Sequence, residues 1–203
     1  MCIRDRTGTV LSAQEIIKLA NLNKSSLIVV DELYEKFNGD SLLPIIDFKK
    51  IKNIVVIQSL SKTAGLAGLR IGFAFGHKSV IKYINKVTGP YDVNSFAVTA
   101  ALAALNDKPY IDDYVCEVKK ARVFIEKKFE STLIRKHFGG GNYFLIWPKK
   151  NPEILTRQMR EKGILIREMK NKKDIENSIR VSIGTREQMN FFWRTYKELD
   201  LNN

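Results

Sequence analysis

Three short apolar runs, each closed by a polar residue or a glycine, constrain this chain more than anything else in it. Ser26-Leu27-Ile28-Val29-Val30 runs into Asp31, Ile54-Val55-Val56-Ile57 into Gln58-Ser59, and Arg70-Ile71-Gly72-Phe73-Ala74-Phe75-Gly76 is the third. They are rich in β-branched and aromatic residues and are too short for helices, so they read as strands. The first two lack polar alternation, which marks strands buried on both faces. Helical segments lie between and around them. Ser12-Ala13-Gln14-Glu15 is a capping box opening a helix to about Leu22, and further helices are expected at about Ser79–Asn85 and Ser95–Leu105. Strands alternating with helices imply an α/β fold with a parallel sheet.

The pattern changes further on. Pro109 opens a long amphipathic helix to about Phe129, and Gly139-Gly140-Gly141 follows it. Next come strand Asn142–Trp147, helix Pro152–Lys162, strand Ile164–Arg167 and strand Ser178–Ile183. Thr185-Arg186-Glu187-Gln188 is a second capping box, starting a final helix. The stretch Lys170–Lys173 reads as a solvated turn. This second part is expected to be a small α+β domain, giving domains at 7–109 and 110–203 with the change along the long helix.

Length and charge narrow the classes of function. The chain has 203 residues, 44% apolar and 28% charged, with net charge +12 that leans to the C-terminal side and forms no concentrated basic arm. A solvated Lys-rich surface explains that balance, and so does an acidic partner such as nucleic acid. No apolar run is long enough to span a bilayer. The two cysteines, Cys2 and Cys116, can build neither a disulfide framework nor a zinc site, which points to a reduced, cytoplasmic setting and no metal. Met1-Cys2-Ile3-Arg4-Asp5-Arg6 has no signal-peptide anatomy. It resembles a translated sequencing-library adapter, so residues 1–6 are expected to be a non-native scar and natural sequence to begin near Thr7.

Four features carry chemistry. Asp31 ends a buried strand, where α/β folds bind ligands, although a strand-end carboxylate can also be a simple cap. Tyr34 follows three residues later and either shares that crevice or packs beneath it. Ser59-Leu60-Ser61-Lys62 places a lysine directly after a buried strand and two hydroxyls. A desolvated lysine in such a place becomes a Schiff-base nucleophile; a surface loop lysine is the plain alternative. Gly65-Leu66-Ala67-Gly68-Leu69-Arg70 combines glycines, which allow close backbone approach, with a guanidinium fork suited to phosphate. It is neither a Walker A loop nor a dinucleotide fingerprint. Arg180 stands in the middle of an apolar strand, facing either solvent or a ligand.

Taken together, Val30-Asp31-Glu32-Leu33-Tyr34, Ser59-Leu60-Ser61-Lys62, Gly65–Phe73 and Ile179-Arg180-Val181-Ser182-Ile183-Gly184-Thr185 resemble the fold-type I pyridoxal-phosphate aminotransferases of class I/II, closest to the histidinol-phosphate aminotransferase branch. Thr7-Gly8, Gly89-Pro90-Tyr91-Asp92-Val93-Asn94, Asn142-Tyr143-Phe144 and Gly163–Arg167 match it too. The resemblance implies part of the large cofactor-domain sheet plus a complete small C-terminal domain. It implies that Lys62 holds pyridoxal 5'-phosphate covalently and shuttles a proton. Asp31 would pair with the ring nitrogen, Tyr34 with the ring oxygen, and Ser59, Ser61 and Arg70 with the phosphate. Arg180 would clamp the substrate α-carboxylate.

The resemblance further implies transamination between an amino acid or amino-alcohol phosphate and a 2-oxo acid, by a homodimer when full length. A related decarboxylase of a phosphorylated amino acid shares the lysine chemistry and is the alternative; a basic nucleic-acid-binding module leaves Asp31, Lys62 and Arg180 unexplained. One departure stands out: Asp5-Arg6 precedes Thr7-Gly8 where the family has Asn-Pro, and a carboxylate cannot donate the amide hydrogen bond expected there. With the upstream half of the family pattern absent as well, the chain is expected to be an inactive C-terminal fragment.

Overall fold

The computed structural model describes residues 8–202, so Met1–Arg6 and Thr7 lie outside the described residues. The chain divides into two units, Leu11–Tyr114 and a second formed by residues 8–10 and 115–202.

In the Leu11–Tyr114 unit, helix α1 (Ala13–Leu22) starts at the capping box: Ser12 Oγ accepts from the Glu15 amide at 3.2 Å, and the Ser12 amide donates to Glu15 Oε2 at 2.9 Å. Ala13, Ile16 and Ala20 line its inner face and pack on Val30, Leu42, Ile54 and Val56. Val30 belongs to strand β1 (Ile28–Asp31) and Ile54 and Val56 to strand β2 (Ile54–Ser59), while Leu42 lies in the segment between them. Asn53 fixes the turn before β2, its Nδ2 donating to the carbonyls of Ala20, Asn23 and Ser26 at 3.0–3.1 Å. Short helix α2 (Glu35–Asn38) follows β1, and helices α3 (Lys78–Ile84) and α4 (Ser95–Asn106) follow strand β3 (Gly72–Gly76).

The sheet order is β1-β2-β3. β1 and β2 are parallel, with Asp31 opposite Ile57, but β3 is antiparallel to β2, with Ser59 opposite Gly72. The expected all-parallel sheet is therefore corrected at its third strand. A parallel return needs a crossover helix to carry the chain back along the sheet. The connection 60–71 contains only one 3-10 turn, Ala67–Leu69, so the chain reverses at the edge it has just reached. Burial on both faces is also corrected: it describes Ile54, Val55 and Val56 of β2, whereas Val29 of β1 is 56% exposed.

The division falls within the long helix α5 (Lys108–Glu130). In the second unit the sheet is antiparallel, in order β4-β5-β7-β6, from β4 (Arg135–His137), β5 (Tyr143–Trp147), β6 (Arg167–Glu168) and β7 (Ile179–Ser182). Helices α6 (Pro152–Glu161) and α7 (Arg186–Tyr196) complete it. Strand β6 is shorter than the expected 164–167, and β4 had no counterpart in the sequence reading. Phe129, Phe144, Phe192 and Tyr196 form a buried aromatic core with ring centroids 5.4–5.8 Å apart. At the chain's end Asp200, buried, accepts from Tyr196 Oη at 2.7 Å and from the amides of Lys149 and Lys150 at 3.0 and 2.7 Å.

Candidate active site at the strand ends

Parallel strands end at the same edge of a sheet. Asp31 is the last residue of β1 and Ser59 the last of β2, and β3 begins beside Ser59 because it runs the other way. The whole 60–71 connection therefore stays at one edge. The topology brings Asp31, Tyr34, Ser59, Ser61, Lys62 and Arg70 to it, which is where open α/β sheets bind ligands.

Two hydroxyls dominate the end of β2. Ser59 Oγ lies 2.6 Å from Ser61 Oγ, accepts from the Ser61 amide at 3.0 Å and donates to the Ile71 carbonyl at 3.2 Å. Both hydroxyl hydrogens can rotate toward an anion. Lys62 follows, half-buried, with its Nζ 5.8 Å from the centre of the Tyr34 ring. That places a primary amine against an aromatic face rather than out in solvent. Asp31 is half-buried, and its Oδ1 accepts from the Leu33 amide at 3.0 Å. Arg70 caps the 3-10 turn with φ of 56°, donates Nη1 to the Ala67 carbonyl at 3.3 Å and is otherwise exposed. Left-handed backbone is uncommon for a residue other than glycine and is recurrently found at ligand sites.

The donor set fits a phosphorylated pyridine aldehyde: two hydroxyls and a guanidinium for phosphate, an amine for the aldehyde, and a carboxylate for a ring nitrogen. Among the described residues no cluster of three or more His, Cys, Asp or Glu side chains could hold a metal ion. No described helix is long and apolar enough to cross a membrane.

Arg180 belongs to the other unit. It sits in β7 between buried Ile179 and Val181, opposite Leu145 of β5 and Arg167 of β6, with its guanidinium 5.1 Å from the Tyr143 ring centre.

The sequence reading missed Glu32, Gln58 and Ser41. Glu32 is only 4% exposed and accepts from Ser41 Oγ at 2.8 Å, Gln58 Nε2 at 3.0 Å and the Leu42 amide at 2.6 Å. Strand alternation supplied one usable signal, since it carries Glu32 and Gln58 to the face of Val30 and Val56, away from Asp31 and Ser59. A cavity of about 320 Å³ lies beside them, lined by Glu32, Gln58, Phe73, Phe75, Leu60 and Ile111 among others. Ser59 lines it too, whereas Asp31, Lys62 and Arg70 do not, so it reaches the end of β2 but not the converging charged groups.

Comparisons with known proteins show what the chain is similar to. The family model "Aminotransferase class I and II" matches residues 2–193. The chain is 30% identical over 201 residues to a histidinol-phosphate aminotransferase of Clostridium beijerinckii, covering 97% of this chain and 55% of that protein. Among solved structures, L-threonine-O-3-phosphate decarboxylase from Porphyromonas gingivalis superposes with a TM-score of 0.81 at 26% identity, over 94% of this chain and 60% of that one. The histidinol-phosphate aminotransferase of Sinorhizobium meliloti, solved with pyridoxal-5'-phosphate, shares the fold with a TM-score of 0.79 at 23% identity, over 95% of this chain and 55% of that one. The chain thus spans about half the length of the curated relatives it matches.

Proposed function

Because the chain belongs to the class I and II aminotransferase family, we propose that the whole protein uses pyridoxal phosphate to move an amine from an amino acid or amino-alcohol phosphate to a 2-oxo acid, in the manner of a histidinol-phosphate aminotransferase. The observation that carries this reading is the Lys62 amine held against Tyr34 at the edge that also bears Asp31, Ser59 and Ser61. When bound, the cofactor supplies an electron-withdrawing ring that accepts charge from the substrate's α-carbon. Lys62 would hold the cofactor at its aldehyde carbon and would move the proton at the substrate's α-carbon. Asp31 would pair with the ring nitrogen, and Tyr34 would orient the ring oxygen. Ser59, Ser61 and Arg70 would hold the phosphate through charge-assisted hydrogen bonds.

Arg180 is proposed to receive the substrate α-carboxylate in a bidentate fork. The Leu11–Tyr114 unit is proposed to be the later part of a large cofactor domain and the second unit the small domain, in a cytoplasmic homodimer. Borohydride reduction of the protein from its complete reading frame, followed by peptide mapping, tests the assignment. The reduced cofactor is expected on Lys62, and finding it on another lysine overturns the reading. The likeness to the phosphothreonine decarboxylase favours one second reading, loss of carbon dioxide from a phosphorylated amino acid. Carbon dioxide released without a 2-oxo acid product would select it.

A further inference from the structure

We propose that Glu32 is a positioning residue: its buried carboxylate sets the spacing between the ends of β1 and β2, and with it the spacing of Asp31 from Ser59, Ser61 and Lys62. The inference rests on reading that edge as the cofactor site. The regular pairing of β1 with β2 ends at Asp31 opposite Ile57. Glu32 extends it by one bond, its amide donating to the Ile57 carbonyl at 2.8 Å. Its side chain then reaches across to β2, where Gln58 Nε2 donates at 3.0 Å, and forward to Ser41 Oγ and the Leu42 amide at 2.8 and 2.6 Å.

A carboxylate this buried is costly unless its acceptor sites are filled, and here three donors fill them. Packing encloses Glu32 but leaves one side of it and of Gln58 open. The cavity of about 320 Å³ opens against Glu32 and Gln58, so neither side chain is wedged by apolar neighbours on that side. The hydrogen bonds therefore define the geometry. Glu32 adjoins Asp31 and Gln58 adjoins Ser59, with the side chains alternating across the sheet. Fixing the pair on the rear face therefore fixes the ligand-binding pair on the front.

The test uses the protein from the complete reading frame, loaded with pyridoxal phosphate. Wild type is first checked for reduced cofactor on Lys62; failure there removes the site reading itself. Gln58→Met deletes one bond at nearly constant volume, Ser41→Ala deletes another, and Glu32→Ala deletes all three. In Gln58→Met and Glu32→Ala, kcat per bound cofactor is expected to fall on the order of tenfold, with KM for the amino donor nearly unchanged. The visible circular dichroism of the bound cofactor should shrink in parallel, because the ring is no longer held in one orientation. Glu32→Gln should recover most of both signals: its oxygen can accept from Leu42, and its amide can donate to Ser41 and to a flipped Gln58. If Glu32→Ala does not fold, Gln58→Met and Ser41→Ala decide. Variants that lower the melting temperature while keeping wild-type kcat per bound cofactor and wild-type dichroism would overturn the proposal and leave Glu32 a purely structural group.

Discussion

At the scale of single residues, Lys62 and Arg180 make separable demands on the proposed enzyme. Lys62→Ala should remove both the borohydride-fixed cofactor and amine transfer, read by absorbance and by product formation. Arg180→Lys should lower kcat/KM for amino donors while leaving cofactor occupancy nearly unchanged. The cost is on the order of 1.5–3 kcal/mol, that of a charge-assisted contact, because an ammonium cannot reproduce the two-pronged grip of a guanidinium. Cofactor lost together with catalysis would show that Arg180 does not act on substrate alone. As candidates, Asp31, Lys62 and Arg180 stand out in the sequence because each sets a charge where an apolar strand predicts a bland residue: at its end, just beyond it, or in its middle. Glu32 does not. Its burial depends on Ser41 and Leu42, which a loop folds back onto it, and nothing in the local pattern announces that return.

At the scale of elements, the C-terminal lock offers a pH test. Burial, and then the hydrogen bond and charge of Asp200, push the Tyr196 hydroxyl far above the usual tyrosine value of 10.0. The folded protein thus keeps this proton at a pH where the unfolded chain loses it. The resulting stabilisation is fully present below pH 10 and is lost as pH rises beyond it. Tyr196→Phe should flatten that alkaline decline in denaturant titrations and cost about 1–3 kcal/mol at neutral pH, since one acceptor position of buried Asp200 loses its donor. An unchanged alkaline slope would show that Tyr196 is not the group responsible. At the other end of the chain, the hydrogen bonds of Ser12 hold the Glu15 carboxyl below its usual value. Its contribution to α1 is present above the ordinary glutamate range and fades as pH falls through the lowered value. Both capping boxes were readable because a cap is a local chemical event. The direction of β3 was not, because it depends on how far a connection can reach rather than on the strand's own residues. Strand β4 escaped notice as well: Arg135-Lys136-His137 carries no apolar signal, and Lys136 is engaged at the end of α5, its Nζ donating to the Phe129 carbonyl at 2.6 Å.

At the scale of the whole molecule, the two units differ in how well their apolar surface is covered. In the Leu11–Tyr114 unit Val87, Tyr91, Phe96 and Leu102 lie exposed, Tyr91 at 91% and Phe96 at 82%, and among the described residues both outer strands have one unpaired edge. Exposed apolar patches and open strand edges promote association. Residues 1–203 expressed with pyridoxal phosphate should therefore be colourless and inactive, and should bind a hydrophobic dye. The piece from Lys108 to Asn203, which lacks residues 8–10 of its unit but keeps the aromatic core and all four strands, should unfold cooperatively on its own. A soluble, yellow and active 203-residue product would contradict the patch argument.

The left-handed backbone at Arg70 has a consequence for anyone engineering this chain. Glycine would sit there without strain, and a side chain in that region costs roughly 1–2 kcal/mol. Arg70→Gly should therefore raise the melting temperature while it weakens the grip on phosphate. A library screened for heat resistance alone would drift toward glycine at this position and discard the proposed phosphate contact in the process.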